Sequence, residues 1–226
     1  MVESGLAQSA DGAEVKIHSQ IHQEFSEALY RAVLQEKPEV ALEVGMAFGF
    51  STLAILSAFR ELGRGRLISI DPYQSSHWHG AGRRAVELAE MSNYHTLIED
   101  VDYLALPELL RQGTKLGFAY IDGFHTFDYV LLDWWYVERM LSVGGVVAFN
   151  DCYMPAVDKV LAFIRSHRRY TEVDVGLKRE ELWQSRRTQL WKWLTFQKLI
   201  PPAQWQDRYF RKLEAWEPEW DFFAEF

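Results

Sequence analysis

Acids and glycines stand where hydrophobic runs end, and that is where this chain carries its chemistry. The run Val40–Val44 contains Glu43 and leads into Gly45 and Gly49, then into a helical pattern that begins with Ser51 and Thr52. Glycines at such a turn let the backbone pass close to a ligand, and the free amides at the helix start receive polar or anionic groups. The spacing is G-x-x-x-G without lysine, so neither the dinucleotide fingerprint nor the nucleotide-triphosphate loop is met. Glu43 would repel a pyrophosphate but accept hydrogen bonds from an ammonium group. Asp71 ends the next apolar run about twenty residues beyond the turn, the separation at which a carboxylate meets ribose hydroxyls. Further along, Asp122 and the pair Asn150 and Asp151 each follow an apolar run. These hard oxygen donors suit magnesium, manganese or calcium, and such an ion would lower the pKa of a bound hydroxyl. His125, three residues beyond Asp122, has the intrinsic pKa of a general base near neutrality. His77 and His79 are further candidates for holding a substrate.

Bringing these residues together requires parallel strands whose carboxyl ends open on one edge. The pattern supplies them. Apolar runs at 40–44, 67–70, 95–98, 116–121 and 146–149 alternate with helical stretches at 51–60, 84–91, 104–111, 127–141 and a helix from Pro155. Gly144 and Gly145 are expected to end the fourth of these helices, in which Asp133 and Glu138–Arg139 interrupt otherwise apolar faces. Two last strands are expected at 171–175 and 189–196. The reading is one α/β domain over 1–226: a flexible tail at 1–13, an N-terminal helix over 15–36, a core over 39–196, and an aromatic extension over 197–226. In the N-terminal helix, Ile17, Ile21, Phe25, Leu29 and Val33 recur every four residues, with His18 and His22 one turn apart.

The pattern E-x-G-x-x-x-G at Glu43, Gly45 and Gly49 resembles the first motif of the class I S-adenosylmethionine-dependent methyltransferases. The stretches D-P-Y-Q from Asp71, I-D-G-F-H-T-F-D-Y-V around Asp122, and G-G-V-V-A-F-N-D ending at Asp151 are similar to the family that includes macrolide sugar O-methyltransferases and cephalosporin hydroxylase relatives. The resemblance covers roughly residues 40 to 165. It implies a doubly wound, mostly parallel seven-stranded Rossmann-like sheet and an S-adenosylmethionine site formed by Glu43, Gly45, Gly49, Ser51, Asp71, Asp100 and Asp122. Of these, Asp100 falls with Glu99 and Asp102 where the family places adenine contacts. It also implies catalysis by His125 with Asp122, and a metal, expected as Mg2+, at Asp122 and Asp151 with Asn150 as a neutral third ligand where relatives often have an acid.

Composition narrows the function. A net charge of −8 leaves no general basic surface for a phosphate backbone, so nucleic acid is not the expected substrate. One cysteine, Cys152, excludes an internal disulfide, and the N-terminus has no signal-peptide pattern, so a cytoplasmic protein without membrane contact is expected. The extension is too rich in tryptophan and phenylalanine to remain in water, so it packs on the domain or on a second copy; a homo-oligomer through it or through the N-terminal helix is the expected partner arrangement. The expected activity is O-methylation of a small hydroxylated molecule such as a sugar, a phenol or a secondary metabolite, with metal assistance. The alternative is a non-catalytic cofactor-binding or assembly protein on the same fold. A nicotinamide-dependent reductase is disfavoured by the missing dinucleotide glycines.

Overall fold

The computed structural model describes residues 5–177 and 207–226. A hairpin of β1 (Leu6–Gln8) and β2 (Glu14–Lys16) comes first, followed by α1 (Gln23–Glu36), β3 (Val40–Val44), α2 (Phe50–Leu62) and β4 (Arg66–Ile70). The chain continues through α3 (Ala81–Leu88), β5 (His95–Ile98), α4 (Asp102–Arg111), β6 (Leu116–Ile121), α5 (Phe127–Met140) and β7 (Leu141–Phe149). It closes with α6 (Pro155–His167), β8 (Tyr170–Val173) and β9 (Arg208–Lys212).

Among the described residues, seven strands form one sheet in the order β5-β4-β3-β6-β7-β9-β8. The first five are parallel, and β9 runs antiparallel to both β7 and β8. The doubly wound sheet expected from the sequence is therefore present. Its strand order reverses between β3 and β6, so helices leave on opposite faces there and a crevice opens above the strand ends. Leu106, Trp134 and Leu161 from α4, α5 and α6 fill one face, and Leu29, Phe59 and Val86 from α1, α2 and α3 fill the other. Sandwiched strands are apolar along both faces, which is why β6 reads as a hydrophobic run and β3 as one broken only by Glu43.

Several element positions differ from the sequence reading. The N-terminal helix starts at Gln23, because residues 14–16 pair with 6–8 and Ser19 takes a positive φ of 54°. The segment read as a flexible tail is thus partly a hairpin. Val15 and Ile17 pack toward Ala7, Phe48 and Ala81; a spacing of four in the sequence had placed them on a helix. His18 is consequently not on a helix face with His22, and its ring stands 5.1 Å from Phe48 and 5.4 Å from Trp78. Gly144 and Gly145 do not end a helix: α5 stops at Met140, and β7 runs through both glycines with a register shift opposite Leu116–Phe118. Asp133 and Glu138 are buried. The last strand is Arg208–Lys212, within the stretch read as an extension, and the strand expected at 189–196 lies outside the described residues. Tyr209 and Phe210 are buried in it, while Phe222 and Phe226 contact His167 on α6 and Trp220 is 94% exposed. No helix among the described residues is long and apolar enough to cross a membrane.

Candidate active site

The turn after β3 is held by the ends of the neighbouring strands. Gly45 donates to the Ile70 carbonyl of β4 and Asp122 donates to the Val44 carbonyl, each at 2.9 Å. Gly45 has φ +88°, and a Cβ there would lie 2.1 Å from the Asp122 carbonyl oxygen, so only glycine fits. Gly49 is the left-handed residue before α2, and a Cβ on it would lie 3.3 Å from Gly82 of α3.

Glu43 and Asp71 face this turn from within the protein. Glu43 is fully buried and accepts hydrogen bonds from the hydroxyls of Ser51 (2.5 Å), Thr52 (2.7 Å) and Ser69 (2.6 Å). Desolvation, only partly offset by those three donors, pushes its pKa up to about 7. The structure therefore puts Glu43 behind the turn, tying α2 to β3 and β4, rather than against an ammonium ligand. Ser51 donates inward to Glu43 and borders the crevice. One oxygen of Asp71 accepts from the Met46 amide (3.1 Å), the Ala47 amide (2.8 Å) and Gln74 Nε2 (3.1 Å), and the other accepts from the Tyr73 amide (2.8 Å). Asp71 thus shapes the turn while also bordering a cavity.

Two adjoining cavities occupy the crevice. One, of about 480 Å³, lies between Asp71, Asp102, Tyr103 and Tyr129; the other, of about 370 Å³, lies between Phe48, Trp78, His125 and Asp151. Gly45, Ala47, Trp78, Asp122 and Gly123 border both. Asp100 borders neither; it is exposed and accepts from the amide of Val101, and the acid that does face the larger cavity is Asp102. Helix α4 begins at Asp102 and turns it inward, which the apolar pattern did not show. His77 borders the larger cavity, whereas His79 has φ +52° and its carbonyl accepts from Ala10 in the hairpin.

In the smaller cavity the ends of β6 and β7 bring Asp122, His125 and Asp151 together. His125 Nε2 lies 3.4 Å from Asp122 Oδ1 and 3.4 Å from Asp151 Oδ2, and one donor atom from each residue lies within 4.8 Å of the others. Nε2 is buried and makes no well-directed hydrogen bond. Burial opposes a charge on His125, but the Asp122 carboxylate and then that of Asp151 outweigh it, and the imidazole pKa is raised. Desolvation likewise raises Asp151, against the lowering influence of His125. Two carboxylates and an imidazole with an unengaged nitrogen make a donor set that fits a divalent cation. Asn150 borders the same cavity, but its Oδ1 accepts the Asp151 amide at 2.5 Å, while Asp151 takes a φ of 50° that turns its carboxylate toward His125. Left-handed geometry at a non-glycine residue is costly and concentrates at functional sites.

The sequence reading missed Ser19, Gln20 and Ile21, which border the cavity of Asp122 and His125. The helical spacing assigned to that segment concealed them. It also passed over Phe48 and Tyr129, whose apolar character gave no signal beyond core packing.

Residues 42–152 match a family model described as a methyltransferase domain. No curated protein matches the chain. Among solved structures, an O-methyltransferase from Bacillus cereus in complex with SAH is similar at 12% identity and TM-score 0.61, covering 70% of this chain and 76% of that one. The O-methyltransferase TomG from Streptomyces achromogenes, involved in tomaymycin synthesis and bound to SAM, has 15% identity and TM-score 0.60, with coverage of 68% and 73%. The SAH-bound Podospora anserina methyltransferase PaMTH1 has 14% identity and TM-score 0.62, with coverage of 86% and 80%. These likenesses are of fold. Residues 42–152 thus match a methyltransferase domain, set in the fold that these solved methyltransferases share.

Proposed function

We propose that the protein methylates a hydroxyl oxygen of a small molecule, with a divalent ion assisting. The observation that carries this reading is the cluster of Asp122, His125 and Asp151 on the wall beside Gly45 and Gly123, next to the larger cavity. The larger cavity has the polar rim and aromatic walls suited to an adenosine, and the turn at Gly45–Gly49 suits the amino-acid end of the cofactor. In this reading Gly45, Gly49 and Asp71 form the cofactor site, Glu43 and Ser51 support it from behind, and Asp102 takes the place expected for Asp100.

S-adenosylmethionine supplies an electrophilic methyl group on a sulfonium. The chain's part is to hold an acceptor hydroxyl in line with that methyl and to take its proton. His125 Nε2, buried and free of a directed hydrogen bond, is the group that receives it. Asp122 and Asp151 stabilise the resulting imidazolium. Asp122 and Asp151 would also hold a divalent ion, Mg2+ by donor type, with Asn150 next to them and His125 left free as the base; such an ion would supply Lewis acidity at the acceptor oxygen. Phe48, Phe50 and Trp78 give the smaller cavity an apolar side, which suits a flat or apolar acceptor carrying its hydroxyl at one end.

Calorimetry with S-adenosylhomocysteine, with NAD as a control, tests the cofactor, and mass spectrometry of a panel of phenols, catechols and hydroxylated sugars incubated with S-adenosylmethionine tests the reaction. Heat with the sulfur ligand and a methyl mass gain on an oxygen are expected. Binding of NAD in place of S-adenosylhomocysteine would sink the reading, and a methyl gain confined to nitrogen or carbon would refute O-methylation.

A further inference from the structure

Two acids outside the metal-binding cluster face each other where α4 packs on α5. Asp102 opens α4 and borders the larger cavity, with 8% of its surface exposed; Asp133 lies in the middle of α5 and is fully buried. Among the described residues neither oxygen of Asp133 meets an N–H or hydroxyl donor. Among the described residues the group that acts on it is the Asp102 carboxyl, and no cation acts on either acid. Two buried carboxylates in that position repel each other and lose hydration, so one proton between them is the inexpensive solution. Surrounding groups settle which acid keeps it. Asp102 Oδ1 accepts the Tyr103 amide at 2.7 Å and lies in the first turn of its helix, where the dipole favours negative charge. Asp133 has neither advantage.

We infer that Asp133 is a positioning residue, a neutral carboxylic acid that donates its proton to Asp102 and holds that carboxylate as an acceptor for the exocyclic amine of the cofactor's adenine. The inference rests on the S-adenosylmethionine reading for the identity of the ligand, but the shared proton stands without it. Burial first, and then the charge of Asp102, push Asp133 up to about 9. Burial raises Asp102 as well, while the Tyr103 amide and Asp133 act in the lowering direction. The larger cavity beside the pair is also bordered by the titratable side chains of Asp71, Tyr73, His77, Tyr103, Asp122 and Tyr129. Tyr129 is itself raised, by desolvation and then by Asp102, Tyr103, Asp128 and Tyr73.

The test uses 5′-methylthioadenosine, which keeps adenine and ribose but lacks the titrating amine and carboxylate of the full cofactor. Its affinity for wild type should hold through neutrality and fall about tenfold between about pH 8 and about pH 10, as Asp133 ionises against Asp102. Asp133→Asn keeps the size and an N–H donor, so it should bind within about twofold of wild type at neutral pH and lose the alkaline fall; Asp133→Ala should weaken binding about tenfold at neutral pH. Identical alkaline profiles in wild type and Asp133→Asn, or full affinity in Asp133→Ala, would overturn the inference.

Urea unfolding separates the parts. An acid raised from 3.8 to about 9 on folding binds more protons in the native state, so its contribution falls as pH rises between those values. Wild type should lose stability relative to Asp133→Asn across that window. Failure of wild type to bind either 5′-methylthioadenosine or S-adenosylhomocysteine would overturn the cofactor reading and the adenine contact together. A pH slope equal in both proteins would overturn the shared proton.

Discussion

Replacing Gly45 with alanine tests the link between the glycine turn and the acidic cluster. The new Cβ would meet two costs. At φ +88° an L-residue is strained by roughly 1–2 kcal/mol. The Cβ would also lie 2.1 Å from the Asp122 carbonyl oxygen, where carbon and oxygen normally approach to about 3.3 Å, so turn and strand end must part by about 1 Å. Parting them strains or breaks the 2.9 Å bond from the Asp122 amide to Val44, worth about 1 kcal/mol net. The sum is about 2–3 kcal/mol. Gly63→Ala is the control, because Gly63 has φ +66° with nothing within 4 Å of a Cβ, leaving only the strain of about 1–2 kcal/mol. Urea unfolding of both variants, with S-adenosylhomocysteine calorimetry on the folded fraction, measures the difference. Gly45→Ala should be the less stable by about 1 kcal/mol and should bind the ligand about 100-fold more weakly, since Asp122 moves with the turn. Equal stability of the two variants would refute the close-approach argument, and unimpaired binding would separate the turn from the cofactor site.

Three further outcomes follow from the buried groups and the cluster. Glu43 is raised from 4.5 to about 7 on folding, so its share of stability should decline as pH climbs through that interval, by up to about 3 kcal/mol; Glu43→Gln should flatten this slope in pH-dependent urea unfolding. Lys212→Ala removes the buried cation 3.4 Å from Glu138 Oε1, both side chains being 5% exposed, leaves Arg139 at 3.6 Å from Oε2, and should cost about 3 kcal/mol by the same method. Chelation should abolish turnover while leaving S-adenosylhomocysteine binding intact, with Asp151→Ala behaving like the chelated enzyme and added magnesium restoring only wild type; His125→Ala should lower kcat by about 100- to 10,000-fold with little change in KM. Full turnover in chelator would reduce Asp122 and Asp151 to partners of His125.

Much of this protein is determined locally and is therefore legible in the chain. Sandwiched parallel strands are apolar along both faces, so the interval 116–121 stands out without a structure. Strand direction then places Asp71, Asp122 and Asp151 along one edge, because successive parallel strands end on the same side. Only the tertiary structure decided what depends on rotation and on distant partners. Which way Glu43 points depends on hydroxyls at Ser51, Thr52 and Ser69, up to 26 residues away. Whether Asp100 or Asp102 enters the cavity depends on where α4 begins, a choice that helix propensity leaves open by a residue or two. The hairpin at 6–16 pairs through a short ladder that hydrophobic periodicity does not register, and the spacing of Ile17 and Ile21 fits a helix equally well. β9 enters the sheet beside β7 far along the chain from it, and pairing across such a separation is settled by the open edge it fills.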